Sequence, residues 1–272
     1  MIRSICTFVL LWLLAASAAF ASEIREFDLK TTERLGNELA YRDRLAAQAS
    51  DLVLSQHPEL KKLWVQSWLS DLHKDHELVY WCAETKGGLV PEYKVTFLKS
   101  GSPRIEDIRG QPLPEPIVTR FRARQTGMKA ALPKLNKAYG AHYNFEVLND
   151  PGGNGFLVYG LAATNKSGEK LLGGHVRVTV SADGSKAERV DELSKGSIKF
   201  PPIPAGAKEG VVGTYDPISS IPVETYIYSS KLYDIPIFVG PKPGVYWQIW
   251  NGNMHKLTKS EIDQANAGTK KK

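Results

Sequence analysis

The chain has 272 residues, 42% hydrophobic and 24% charged, with a formal net charge of +6. These proportions exclude a disordered or low-complexity chain and leave enough apolar mass for a full core. The basic excess is mild and includes the run Lys270-Lys271-Lys272, so it gives no reason to expect a nucleic-acid-binding protein.

The chain opens MIRSICTFVLLWLLAASAAFAS. Arg3 supplies a positive start, and the apolar run from Cys6 to Ala16 is too short to span a bilayer. Ala19-Phe20-Ala21 fits the small-x-small rule of a signal peptide. The expectation is cleavage between Ala21 and Ser22 and a secreted or periplasmic protein, with residues 22–272 forming a single α+β domain without a membrane span. Cys6 leaves with the leader and Cys82 stays alone, so no internal disulfide is expected. Cys82 sits in the apolar run LVYWCAE and reads as a buried, inert thiol.

In chain order, residues 30–75 read as helical. Leu35, Leu39, Ala46 and Val53 recur at helical spacing between Thr32 and Gln56. His57-Pro58 breaks that helix, and Pro58 can open a second one that places Leu60, Leu63, Trp64, Trp68 and Leu72 on one side. Residues 76–140 are mixed. LVYWCA and EYKVTFL read as paired strands around Lys86-Gly87-Gly88, and RGQPLPEP leads into a helix from Ile117 to Leu132 that Pro133 ends. Residues 141–255 read as mainly β. YNFEVL and GFLVYGLAAT flank NDPGGNG; GEKLLGGHVRVTV and KAERVDEL flank SADGS; VETYIYS, IPIFVG and GVYWQIW follow the loop FPPIPAGAKEG. Residues 266–272 read as a flexible basic tail. Short turns between successive strands imply antiparallel neighbours, so the fold class is α+β: N-terminal helices plus one further helix packed on a mainly antiparallel sheet.

FRARQTGMKAAL, GFLVYGLAATNKSGEKLLGGHVRVTVSADG, VETYIYSS and PIFVGPKPGVYWQI together resemble segments of uncharacterised secreted proteins of Gram-negative bacteria. The resemblance covers about the C-terminal two thirds and is one of texture and order. It implies an exported bacterial protein and lends no activity.

The sequence contains no Gly-x-Ser-x-Gly, phosphate loop, Cys-x-x-Cys or His-Glu-x-x-His. The densest cluster of ligand-type residues is His73-Lys74-Asp75-His76-Glu77. On a helix, His73 could share a metal with His76 or Glu77, but no full ligand set accompanies them, and a solvated helix end is the plain alternative. Arg120 and Arg124 lie one turn apart on the helix before Pro133. They read as a solvated basic face or as an anion site.

His175 begins a strand on which Val176, Val178 and Val180 share one face, while His175, Arg177 and Thr179 share the other. A two-residue Asp183-Gly184 turn would set His175 opposite Glu192 and Arg177 opposite Val190. A three-residue loop ending at Gly184 would set His175 opposite Asp191, but Arg177 opposite Arg189, a like-charge pair. Either pairing reads as a polar cross-strand contact on the wet side of a hairpin or, with an unidentified nucleophile, as a catalytic dyad.

In GVYWQIW, Val245, Trp247 and Ile249 share one face, and Tyr246, Gln248 and Trp250 the other. Were VETYIYS a neighbouring strand, Tyr226 and Tyr228 would join Tyr246 and Trp250 in an aromatic platform. That platform would either be covered by the N-terminal helices, with Trp64 and Trp68 on it, or stay exposed for a ligand. The leading reading is an exported, non-catalytic binding or interaction protein of the bacterial envelope, without metal or cofactor, whose partner is an envelope glycan or an anionic protein. The alternative is an exported hydrolase using His175 with Asp191 or Glu192.

Overall fold

A computed structural model describes residues 24–62, 66–85, 88–135, 142–164, 168–202 and 212–263. The expected leader and cleavage point, Trp64, most of the loop after Phe200 and the basic tail lie outside the described residues. The fold is α+β with mainly antiparallel strands.

Helix α1 (Leu29–Gln56) is capped by Asp28, whose carboxylate accepts the Thr31 N–H at 2.7 Å. It is long enough to serve two cores. Leu35 and Leu39 pack against the C-terminal half of the chain. Leu45, Ala49 and Val53 pack on a four-stranded meander of β1 (Gln66–Leu72), β2 (His76–Thr85), β3 (Gly88–Leu98) and β4 (Arg104–Asp107). Cys82 is buried on β2.

The second expected helix does not form. Pro58 opens a short 3-10 turn to Lys62, and Trp68 and Leu72 belong to strand β1. The helical spacing of Leu and Trp misled there. Ser67 and Ser70 are buried as well as Leu69, because both serines receive arginine side chains from helices.

Helix α2 (Glu115–Ala131) covers one face of a second sheet, built in the order β5 (His142–Asn149), β6 (Phe156–Ala163), β8 (Val176–Val180) and β9 (Ala187–Glu192). Phe121, Phe145, Val147, Val158, Val176 and Val178 fill that interface. The run GEKLLGGHVRVTV is two strands. Gly173 and Gly174 take φ of 83° and 78°, a left-handed bend that suits glycine, and they release β7 (Lys170–Gly173) to pair with β10 (Ser197–Phe200).

The opposite face of the second sheet is covered by α1 and by α3 (Glu224–Tyr233). VETYIYS is therefore part of a helix, contrary to its strand-like composition. Every residue from Glu224 to Ser230 is buried, so no solvated face reveals the helical period. Beneath α3 lies a third sheet, in the order β11 (Val212–Tyr215), β12 (Ile237–Lys242), β13 (Val245–Trp250) and β14 (Asn253–Lys256), with β11 parallel to β12. Its inner face carries Ile237, Val239, Trp247, Ile249 and Met254. Among the described residues, no helix is long and apolar enough to cross a membrane.

Candidate functional site: an aromatic sheet face

His175 does not face an acid. The β8–β9 register sets Arg177 opposite Asp191 and Val176 opposite Glu192, and the His175 carbonyl accepts the Leu193 N–H at 2.9 Å. Neither anticipated register forms. Asp183 accepts the Ser181 and Ser185 hydroxyls at 2.6 and 2.7 Å, which builds a wider turn, and a bulge beside Val180 adds a residue to β9.

His175 is also buried rather than wet. Its Nδ1 accepts the Ala162 N–H at 3.0 Å, so the neutral ring carries its proton on Nε2, which lies 3.5 Å from Ser229 Oγ. A protonated Nε2 faces that hydroxyl as a donor and cannot act as its base. Burial also pushes the imidazole down to about 4. The adjoining surface depression, about 40 Å³, holds little more than a water molecule.

Asp191 and Glu224 instead clamp Arg177. The guanidinium is fully buried, 2.8 Å from Asp191 Oδ2 and 2.6 Å from Glu224 Oε1. It also donates to the Arg25 carbonyl and lies over the Phe27 ring. Tyr159 adds a hydrogen bond to Glu224 at 2.8 Å, and Arg189 one to Asp191 at 2.5 Å. Burial alone would lower the arginine, but Glu224, Tyr159 and Asp191 outweigh it and hold the charge in place. The cluster ties the N-terminal segment to the core. Glu192 points elsewhere, to Lys134 at 2.9 Å.

The histidine cluster is a β-hairpin rather than a helix end. His73 and His76 stack across the β1–β2 turn with ring centroids 4.7 Å apart. His73 pairs with Asp71 at 2.9 Å, and Glu77 accepts the Tyr41 hydroxyl at 2.8 Å. Among the described residues, no three His, Cys, Asp or Glu side chains stand together as a metal site.

Arg120 and Arg124 are turned inward, which corrects the solvated-face reading. Arg124 is buried and reaches the Phe145 carbonyl at 3.2 Å and Ser67 Oγ at 2.7 Å. Arg120 reaches the Ser70 carbonyl, Asp71 and Asn149. Both bind the α2 layer to β1 and β5.

The aromatic residues divide. Tyr226 and Tyr228 are buried on α3, so they contribute nothing to an exposed platform. Tyr228 donates to Asp43 at 3.3 Å. Tyr226 donates to Asp216 at 2.5 Å, and the Asp216 N–H meets the Gly240 carbonyl at 3.1 Å, so Tyr226 anchors the end of β11.

Tyr246 and Trp250 do share the outer face of the third sheet, 42% and 37% exposed, and are joined there by Tyr215 at 58%. Gly240 lies between two of these rings. A Cβ placed on it would stand 3.4 Å from Tyr215 Cδ2 and 3.4 Å from Tyr246 Cε1. The next row across the sheet runs Gly213, Phe238, Gln248, His255. A Cβ on Gly213 would meet only open space. The helical turn at residues 259–263 borders this face, where Glu261 Oε1 stands 3.0 Å from His255 Nε2. The four strands contain Lys242, His255 and Lys256 and no Asp or Glu. Tyr215 and Phe238 escaped sequence reading because GTYD and IPIFVG each show too short a pattern to fix a face.

Compared with known proteins, the chain matches no family model and no curated protein. Among solved structures it is similar to the Bacillus megaterium YpeB C-terminal domain at 12% identity and a TM-score of 0.17, over 64% of this chain and 69% of that one. A likeness at that level carries no argument about fold or function.

Proposed function

We propose that this chain is an exported binding protein of the bacterial envelope, and that the outer face of its C-terminal sheet holds a glycan. The observation that carries the reading is the arrangement of Tyr215 and Tyr246 on either side of Gly240, with Trp250 on the same face. Flat, exposed aromatic rings offer the apolar face of a sugar ring a large contact area at little conformational cost, while their polar tips and neighbours supply hydrogen bonds. Gln248 provides such a neighbour, as does the His255–Glu261 pair, 3.0 Å apart. At about 3.3–3.4 Å per residue, Tyr246 and Trp250 stand roughly 13 Å apart along β13, a span that suits an oligosaccharide more than a single sugar. Export is supported by the charged, apolar and small-residue succession of residues 1–21.

The hydrolase alternative loses its proposed dyad, since the His175 ring bonds to Ala162 and approaches Ser229 while Asp191 is held by arginines. The glycan reading is tested by tryptophan fluorescence titration with a panel of neutral and acidic oligosaccharides. Saturable quenching that is lost in Tyr246→Ala supports it. Absence of binding across the panel, or binding unaffected by Tyr215→Ala, Tyr246→Ala and Trp250→Ala, counts against it.

A further inference from the structure

Trp250 has a second neighbourhood. Its strand ends in the turn Asn251-Gly252, whose φ values of 52° and 81° are those of a tight hairpin turn that the Asn-Gly pair favours. This turn is docked on α1. Asn37 Nδ2 donates to the Gly252 carbonyl at 2.7 Å, and Glu33 accepts the Met254 N–H at 2.8 Å. Between turn, α1 and the end of α3 lies a cleft of about 190 Å³ lined by Arg44, Ser230, Lys231, Asp234, Trp250 and Asn251.

The lining is polar and carries two cations against one acid. Lys231 is oriented by Asn37 Oδ1 at 3.0 Å, a neutral partner that leaves its charge uncompensated there. Arg44 is exposed on α1, one helical turn past Ala40, with no carboxylate within ion-pairing distance among the described residues. The volume is below the roughly 300–1,000 Å³ usual for a whole small-molecule site, so the cleft suits one ring or substituent of a longer ligand.

We infer that this cleft recognises an anionic sugar residue: Trp250 stacks on the ring, and Arg44 and Lys231 take its carboxylate or phosphate. The inference rests on the aromatic-face reading and adds the charge of the ligand to it. A guanidinium matches either anion with two parallel hydrogen bonds, and a lysine adds a point charge. The strands of the sheet add Lys242 and Lys256 near this ligand and no acid, while His255 is paired with Glu261 at 3.0 Å. Asp234 opposes it and gives the test a second sign.

The experiment is isothermal titration of the full mature chain. Oligogalacturonate against its methyl ester reports a carboxylate; glucose 6-phosphate against glucose reports a phosphate. One acidic probe is expected to bind about tenfold more tightly than its neutral counterpart, as one charged hydrogen-bonding group is worth. Arg44→Gln should erase that ratio, and Asp234→Asn should widen it. Both positions are exposed, so both variants should keep the wild-type melting temperature. Equal binding of acidic and neutral probes, or an unchanged ratio in Arg44→Gln, overturns the cleft assignment and leaves the aromatic face standing if Tyr246→Ala still abolishes binding. Absence of binding by every probe overturns both.

Discussion

Tyr215 and Tyr246, from strands that do not pair with each other, come together over one glycine. Gly240 separates them, and a methyl group there would just touch both rings at 3.4 Å. The contact distance is ordinary, so Gly240→Ala should fold with a stability change below about 1 kcal/mol. Gly240→Leu would fill the floor between the rings. It is expected to weaken oligosaccharide binding at least as much as Tyr246→Ala, while the inner-face packing keeps the melting temperature nearly unchanged. Paired thermal melts and titrations check this.

Two tryptophans three residues apart on β13 separate surface from core. Trp250→Ala removes a ring that is 37% exposed and should cost little stability, below about 1 kcal/mol, while ligand binding falls. Trp247→Ala removes a ring packed in the main core and should cost about 3–5 kcal/mol. Urea unfolding of the two variants gives the comparison. A large loss at Trp250 would mean that the ring serves the core.

Arg177 is the chief ionic tie in the second sheet. Arg177→Ala would leave Asp191 and Glu224 buried without their shared cation, a defect worth about 3–5 kcal/mol. Arg177→Lys should recover only part of that loss, because one ammonium cannot reproduce the fork that reaches Asp191, Glu224 and the Arg25 carbonyl. Denaturant unfolding measures both. Release of the N-terminal segment should be visible as faster amide exchange at residues 24–28.

Two buried groups give stability opposite pH slopes. Burial pushes Glu146 up to about 7, with Arg42 opposing and Asp43 assisting, and Trp68 Nε1 donates to it at 3.2 Å. Its carboxyl stays protonated in the fold while the unfolded chain ionises near the ordinary 4.5, so its contribution is full below 4.5 and is lost as pH rises to about 7. His175 runs the other way. It is neutral in the fold down to about 4, so its contribution is present above 6.5 and is lost as pH falls towards 4. Glu146→Gln should therefore flatten the decline in melting temperature between pH 5 and 8, read by calorimetry. An unchanged decline would mean that Glu146 is not its source.

Much of the fold is legible where a pattern has one solvated side. The long first helix, the α2 helix and the alternation along β13 are each recognisable from the residues, but the polar side of α2 misleads, since Arg120 and Arg124 turn inward. Where burial is complete the pattern vanishes. VETYIYS is rich in β-branched and aromatic residues and is buried on all sides, so composition favoured a strand while tertiary packing made a helix. The buried polar residues were the least legible. Arg177, Arg124, Ser67 and Glu224 look like surface residues until their partners, tens of positions away, are brought together. The candidate site was half visible for a related reason. Tyr246 and Trp250 sit on one recognisable strand, whereas Tyr215 reaches them only through a parallel pairing across α3, which no local spacing encodes.

The most direct measurement is a backbone and aromatic-ring NMR titration of the protein with an oligosaccharide that quenches its tryptophan fluorescence. Shifts should be confined to the outer face of the C-terminal sheet and its adjoining cleft, with the Tyr215, Tyr246 and Trp250 rings moving most and the His175 and Arg177 signals unchanged. Shifts centred on His175, or on the α2 side of the second sheet, with Tyr215 and Tyr246 unmoved, would contradict the assignment of the aromatic face as the binding site.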